Sequence, residues 1–250
     1  MEQSKSAASG GGALIGALGG LIGLGGAEFR LPLLIGMFRF SALEAVILNK
    51  AMSLVVVATA LPFRATSVPI TDVAAQWPIV FNLLAGSLLG AWFGAGYRVI
   101  ALMLVAIAAV LVLGHGAVSD GPALTDGYLL VAGIIGGFII GIVAALLGVA
   151  GGELLIPTLV LLFGADIKLA GSLSLAVSLP TMLVGFTRYS RDQSFTVLGK
   201  NKTFVLIMAA GSIVGTFIGG QLLGVVPEAL LLPALAVILV ISAYKVWQHA

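Results

Sequence analysis

Apolar residues fill long runs of the chain, broken by glycine, proline and a few charges. In the first half the runs cover 10–25, 29–38, 42–63, 73–96 and 99–114. In the second half they cover 128–149, 154–164, 167–187, 203–223 and 229–247. Runs of about 20 residues have the length of a membrane-crossing helix. The pattern predicts an all-α polytopic membrane protein. The runs at 29–38 and 154–164 are too short to span unaided. Each follows a glycine-rich break, GLGGAEFRLP or GVAGGELLIP, and carries a proline near its start. Proline is tolerated in a first helical turn. Each short run therefore reads as a half-helix that begins within the bilayer or near one face.

A shift of 125 residues lays the sequence on itself without a gap. Gly23, Gly26, Glu28 and Pro32 fall on Gly148, Gly151, Glu153 and Pro157. Ala45, Leu48, Ala51, Ser53 and Leu54 fall on Ala170, Leu173, Ala176, Ser178 and Leu179. Gly86, Ser87, Gly90 and Gly94 fall on Gly211, Ser212, Gly215 and Gly219. Agreement at glutamate and proline carries more weight than agreement among so many glycines. The chain is expected to be one membrane domain of two repeats, 1–125 and 126–250, with about five segments each.

Charge sets the expected orientation. With the N-terminus inside and each half-helix counted as a pass, Lys5, Arg39, Arg98, Arg188, Arg191, Lys200, Lys202 and Lys245 fall on the cytoplasmic side. Arg64 and Lys168 fall outside, with Asp72, Asp120, Asp126, Asp166 and Glu228. That is a positive-inside bias. An odd number of passes per half makes the repeats inverted, with both termini cytoplasmic and the broken helices meeting near the midplane. The alternative, eight spans with parallel repeats, puts Arg98 outside and the acidic loop HGAVSDGPALTDG inside.

Composition narrows the function classes. Only 9% of residues are charged and 60% are hydrophobic, against about a quarter charged in soluble domains. No stretch is long enough for a soluble domain. The absence of cysteine removes disulfides and zinc–thiolate sites. His115 and His249 lie far from the intramembrane serines, which argues against a Ser-His hydrolase. No metal-ligand cluster, phosphate loop or nucleic-acid patch appears, so neither a cofactor nor an enzyme is expected.

The candidate chemistry sits at the breaks and in the third helices. Non-helical backbone at membrane depth survives only where protein buries it or it lines a wet cavity. Gly25, Gly26, Ala27 and Glu28, with Ala150, Gly151, Gly152 and Glu153, are candidates for such backbone. Half-helices beginning there would aim free N–H groups at an anion; the alternative is a glycine hinge for close helix crossing. Asn49 and Ser53 share a helix face, as do their repeat mates Ser174 and Ser178, with Ser172 nearby. These strips either line a cavity or bond back to their own helix. Lys50 has no mate, because its repeat position is Leu175. It lies about two and a half turns past the helix start at Ser41, where charge is costly unless compensated. Its partner is Glu28, Glu44, Glu153 or an anionic substrate; the alternative is snorkelling to the cytoplasmic face. Arg30 is open between the same readings. The glycine faces Gly86-x3-Gly90-x3-Gly94 and Gly211-x3-Gly215-x3-Gly219 suit tight packing within a protomer or in a homodimer.

GLGGAEFRLPLL and GVAGGELLIPTL resemble the paired glycine-rich breaks of the TauE/SafE sulfite-exporter family. LNKAMS resembles that family's Thr-Asn-Lys element, and AGSLSLAVS its Gly-Thr-Ser element. Leu48 stands where threonine is usual, and Ala27 replaces a glycine. The resemblance implies a secondary transporter in the inner (plasma) membrane. It implies small sulfur-containing anions as substrates, such as sulfite or the organosulfonate sulfoacetate, with export as the expected direction. It implies that the two breaks and the two third-helix elements build the substrate site. On that reading Lys50 is the counter-charge, and Glu28 or Glu153 is the candidate carrier of a coupled proton. A channel-like anion pore, or a permease for another small organic anion, is the alternative.

Overall fold

The computed structural model describes residues 2–93, 126–147, 149–189 and 194–248. Among them every regular element is a helix. In chain order these are α1 Glu2–Ile22, α2 Ala27–Pro32, α3 Ala42–Arg64, α4 Ile70–Ala75, α5 Trp77–Phe93 and α6 Asp126–Leu147. They continue as α7 Gly152–Phe163, α8 Ile167–Tyr189, α9 Ser194–Lys200, α10 Lys202–Leu222 and α11 Glu228–Gln248. Stretches in α3, α6, α8 and α10 are long and apolar enough to cross a membrane. The expected run at 99–114, together with Gly94, Arg98, His115, Asp120, Gly148 and Arg191, lies outside the described residues.

Several features differ from the sequence reading, among them the run expected over 73–96, which is divided at Gln76 into α4 and α5. Helix α1 begins at Glu2 rather than near residue 10. Small residues there let it follow α10 closely: Ser9 packs on Gly211, and Gly12 on Met208. Pro32 and Pro157 each stand at the sixth position of their helix, not in its first turn. Lacking an N–H, Pro32 removes one helical bond, and the chain beyond it widens into π-helical turns over Leu33–Met37.

Glycine governs the two most extensive helix contacts. Helices α1 and α10 run side by side and parallel, so that a Cβ on Gly12 or Gly16 would collide with the backbone of Met208 or Ser212. Gly211 and Gly215 press in turn on Ser9 and Ala13. Helices α5 and α6 repeat this contact by contact. Gly137 meets Leu83, Gly141 meets Ser87, Gly86 meets Ile134 and Gly90 meets Phe138. Each of these pairs is an α1–α10 pair displaced by 125 residues with the halves exchanged. The described glycines of these faces, Gly86, Gly90, Gly211, Gly215 and Gly219, thus pack against helices of the same chain.

The same displacement recurs in the backbone. Leu24 N–H donates to Gly19 at the end of α1, and Val149 N–H to Ala144 at the end of α6, at 3.1 and 3.2 Å. Gly26 and Gly151 both stand in the left-handed region, at φ 67° and 76°, immediately before α2 and α7. A side chain there would be strained. Ser41 and Asp166 are matching N-caps: Ser41 Oγ accepts from Glu44 N–H, and Asp166 Oδ1 from Leu169 N–H. Such caps contribute about 1 kcal/mol each.

Helices α3 and α8 pack antiparallel. Arg64, at the end of α3, reaches Lys168 and Ser172 at the start of α8. Lys50, early in α3, lies beside Gly185, late in α8. Lys168 also pairs with Glu228 at 3.8 Å, gathering Arg64, Lys168 and Glu228 at one end. At the other end Phe38 and Phe40 pack edge-on against Phe204, bringing Arg39 close to the start of α10 at Lys202.

Candidate functional site

The two breaks touch. A Cβ on Gly25 would collide with the Cβ of Ala150 and stand 3.5 Å from that of Ser53. One on Gly152 would stand 3.1 Å from the Gly23 carbonyl oxygen. Irregular backbone is thereby buried in protein, as lipid requires. Ser174 and Ser178 supply part of the missing hydrogen bonding. Ser174 Oγ donates to the Gly23 carbonyl at 2.8 Å, and Ser178 Oγ donates to that of Ala150 at 2.5 Å. Both serines are buried. They hold one break each, and Ser174 also bonds back to Gly171 in its own helix.

On the α3 side the chemistry differs. Arg30, from α2, is fully buried. Its Nη1 donates to Ser53 Oγ at 2.9 Å and to Asn49 Oδ1 at 3.4 Å. Its Nε and Nη2, and the Asn49 Nδ2, have no hydrogen-bond partner among the described residues. Each such buried donor costs about 1–3 kcal/mol. Sequence reasoning left Arg30 open between a carboxylate partner, an anionic substrate and snorkelling to the membrane face; here it is fully buried behind the first break. Glu28, two residues earlier, keeps both carboxylate oxygens buried, within electrostatic range of Arg30.

Lys50 is buried, with its ammonium 3.7 Å from where a Cβ on Gly185 would stand. It points to α8, whereas its neighbour Asn49 points to α2. Glu44 is taken up by the cap of its own helix, bonding Ser41 N–H at 3.2 Å. Glu153, at the start of α7, is buried. Gly26 and Gly151 sit at the turns into α2 and α7, and Ala27 is fully buried behind Gly26.

Ser172 stands apart from the breaks. It accepts from Arg64 Nε at 3.0 Å. Arg64 is a second buried arginine that the sequence reading placed only as a topology marker. It donates to the carbonyls of Gly20 and Leu21 at 2.8 Å each and of Lys168 at 2.7 Å. These bonds close the C-terminal end of α1 and tie it to α8. Every donor nitrogen of Arg64 has a partner, so the group acts as a strut.

The site thus comprises Gly25, Gly26, Ala27, Ser53 and Ala150 at the crossing of the breaks, Arg30 and Asn49 on one side, and Lys50 on the α8 side. Among the described residues no group of acidic, histidine or cysteine side chains could hold a metal ion. Comparison with curated proteins and with solved structures found no match. The family model for the sulfite exporter TauE/SafE matches residues 9–246. Buried helix breaks, apolar helices of spanning length and that match agree: the chain belongs to the TauE/SafE sulfite exporter family of membrane transporters.

Proposed function

We propose that the protein is a secondary transporter that exports small sulfur-containing anions, sulfite or an organosulfonate such as sulfoacetate. The halves are inverted and rock against each other by alternating access. One observation carries this reading: two helix breaks cross in the protein interior beside buried Arg30, Asn49, Lys50 and Ser53. Lys50, buried in α3, supplies the counter-charge for the bound anion. Glu28 or Glu153 carries a coupled proton. Antiparallel α3 and α8 support inversion, since they are repeat mates. The gathering of Arg64, Lys168 and Glu228 at one end, and of Arg39 near Lys202 at the other, supports their placement on opposite faces; the inside N-terminus in the inner membrane rests on the lysine and arginine bias of the whole sequence.

The test is uptake of labelled sulfite and sulfoacetate into proteoliposomes, with and without a pH gradient, for wild type and Lys50→Ala. Saturable flux that falls at least about tenfold in the variant is expected, with flux responding to the gradient. Non-saturating flux would point to a pore. A folded Lys50→Ala protein transporting at the wild-type rate would remove Lys50 from the site.

A further inference from the structure

We infer that each rocking body is a half that has exchanged its fourth helix with the other, so that the moving units are two helix bundles drawn from both halves. This deepens the transport reading above and rests on it for the fact of rocking. Helix α10, of the second half, packs on α1 and α3 of the first. Helix α5, of the first half, packs on α6 and α8 of the second. The short helices that precede them follow the same rule: α9 lies against α3, and α4 against α8. One bundle is then α1, α2, α3, α9 and α10, and the other runs from α4 through α8.

Within each bundle the contacts resist sliding. Gly16 meets the backbone of Ser212 and Gly20 that of Thr216 in one; Gly90 meets Phe138 and Gly141 meets Ser87 in the other. A hydroxyl pair then ties the third helix to the exchanged fourth. Thr59 Oγ1 lies 3.1 Å from Thr216 Oγ1 between α3 and α10, and Ser87 Oγ lies 2.8 Å from Thr181 Oγ1 between α5 and α8. The two pairs are not repeat mates. Thr59 and Thr216 correspond to Val184 and Ala91, and Ser87 and Thr181 to Ser212 and Val56. Repetition of one unit does not account for the same tie being made twice with different residues. Between the bundles the packing is smoother: Val57 and Ala60 of α3 share an apolar core with Ala150, Leu175 and Met182. Hydrogen bonds from Arg64 to Ser172 and Lys168, and from Ser174 to Gly23, cross the boundary at the first turns of α8. They can part without disturbing either bundle. The crossing of Gly25 and Ala150 lies on the same boundary, where alternating access places a substrate site.

The chain has no cysteine, so introduced thiols are the only ones. Thr59→Cys with Thr216→Cys, and Ser87→Cys with Thr181→Cys, put sulfurs where hydroxyls already touch, and each disulfide joins the first half to the second. In proteoliposomes the oxidised form of each pair should carry sulfite within about twofold of its reduced form, with bond formation checked by thiol titration. Flux lost on oxidation and regained with reductant means that the intact halves move, and overturns the bundles. Spin-label distances test the same bodies without transport. Leu14 in α1, Leu89 in α5 and Leu206 in α10 are exposed and take labels as Leu14→Cys, Leu89→Cys and Leu206→Cys. Leu14 and Leu206 belong to different halves but one bundle, and should give a single narrow distance. Leu14 and Leu89 belong to one half but different bundles, and should give a distribution about twice as broad or broader. The reverse pattern, or equal widths, overturns the proposal. Flux with the reverse pattern keeps the transporter and discards the bundles; the expected widths without flux from the reduced protein do the opposite.

Discussion

The two helix breaks share a backbone and differ in chemistry. Gly26 and Gly151 adopt the same left-handed turn, and the helices behind them carry a proline at the same position. Yet position 30 holds a buried arginine and its mate, 155, a buried leucine. Position 50 holds a buried lysine and its mate, 175, a buried leucine. The second-half serines spend their hydroxyls on break carbonyls, whereas Asn49 and Ser53 face Arg30. Positions 125 residues apart share a backbone frame, and among the described residues only the first half supplies buried lysine or arginine beside it.

The comparison is sharpened by making each position like its mate. Arg30→Leu should cut sulfite flux about 100-fold or more, in line with about 2–5 kcal/mol for losing one partner of a buried charged contact. Flux within threefold of wild type, from protein that melts normally, would break the contrast. Where only the frame is at stake, mates should respond alike. Gly16→Ala and Gly141→Ala each force a Cβ onto the facing backbone at Ser212 and Ser87. Each should cost about 1–3 kcal/mol of stability, equal within about 1 kcal/mol, read from denaturation midpoints. A large inequality would show that the two crossings are not equivalent. Ser174→Ala and Ser178→Ala should each lose about 1 kcal/mol and shift the KM for sulfite less than threefold, because both bond backbone. A tenfold rise in KM would return them to the substrate. The smallest effect is expected at Thr59, whose hydroxyl lies 3.1 Å from that of Thr216 between α3 and α10. Thr59→Val should cost about 0.6 kcal/mol, typical of hydrogen bonds between membrane helices.

Much of the frame was legible because glycine and proline mark backbone geometry directly. The breaks, the break-to-break offset and the glycine faces of α5 and α10 could all be read this way. Their partners could not, since a small-residue face does not say which helix it meets; that α10 takes α1 follows only from the fold. The site was less legible. Weighing residues by agreement between the halves favoured serines that recur and left Arg30, whose mate is Leu155, open between partner and ligand roles. Ser172 is two residues from Ser174, so helical geometry turns it to another face, where it meets Arg64. Arg64 itself was hidden by its place at a helix end, where a basic residue ordinarily meets water and lipid head groups.

The crossed pairing of the halves also sets an order for synthesis. The contact partners of α5 emerge about 50 residues after it, in α6, whereas those of α1 emerge about 200 residues later, in α10. At about 5–20 residues per second, the first helix waits on the order of ten seconds or more with its glycine face uncovered in the bilayer. The α5–α6 pair can close early, near the middle of translation. The α1–α10 pair closes near the end and joins the beginning of the chain to its last fifth. A ribosome that stops short of α10 releases a protein whose first helix has lost its most extensive contact, a form that membrane quality control can recognise.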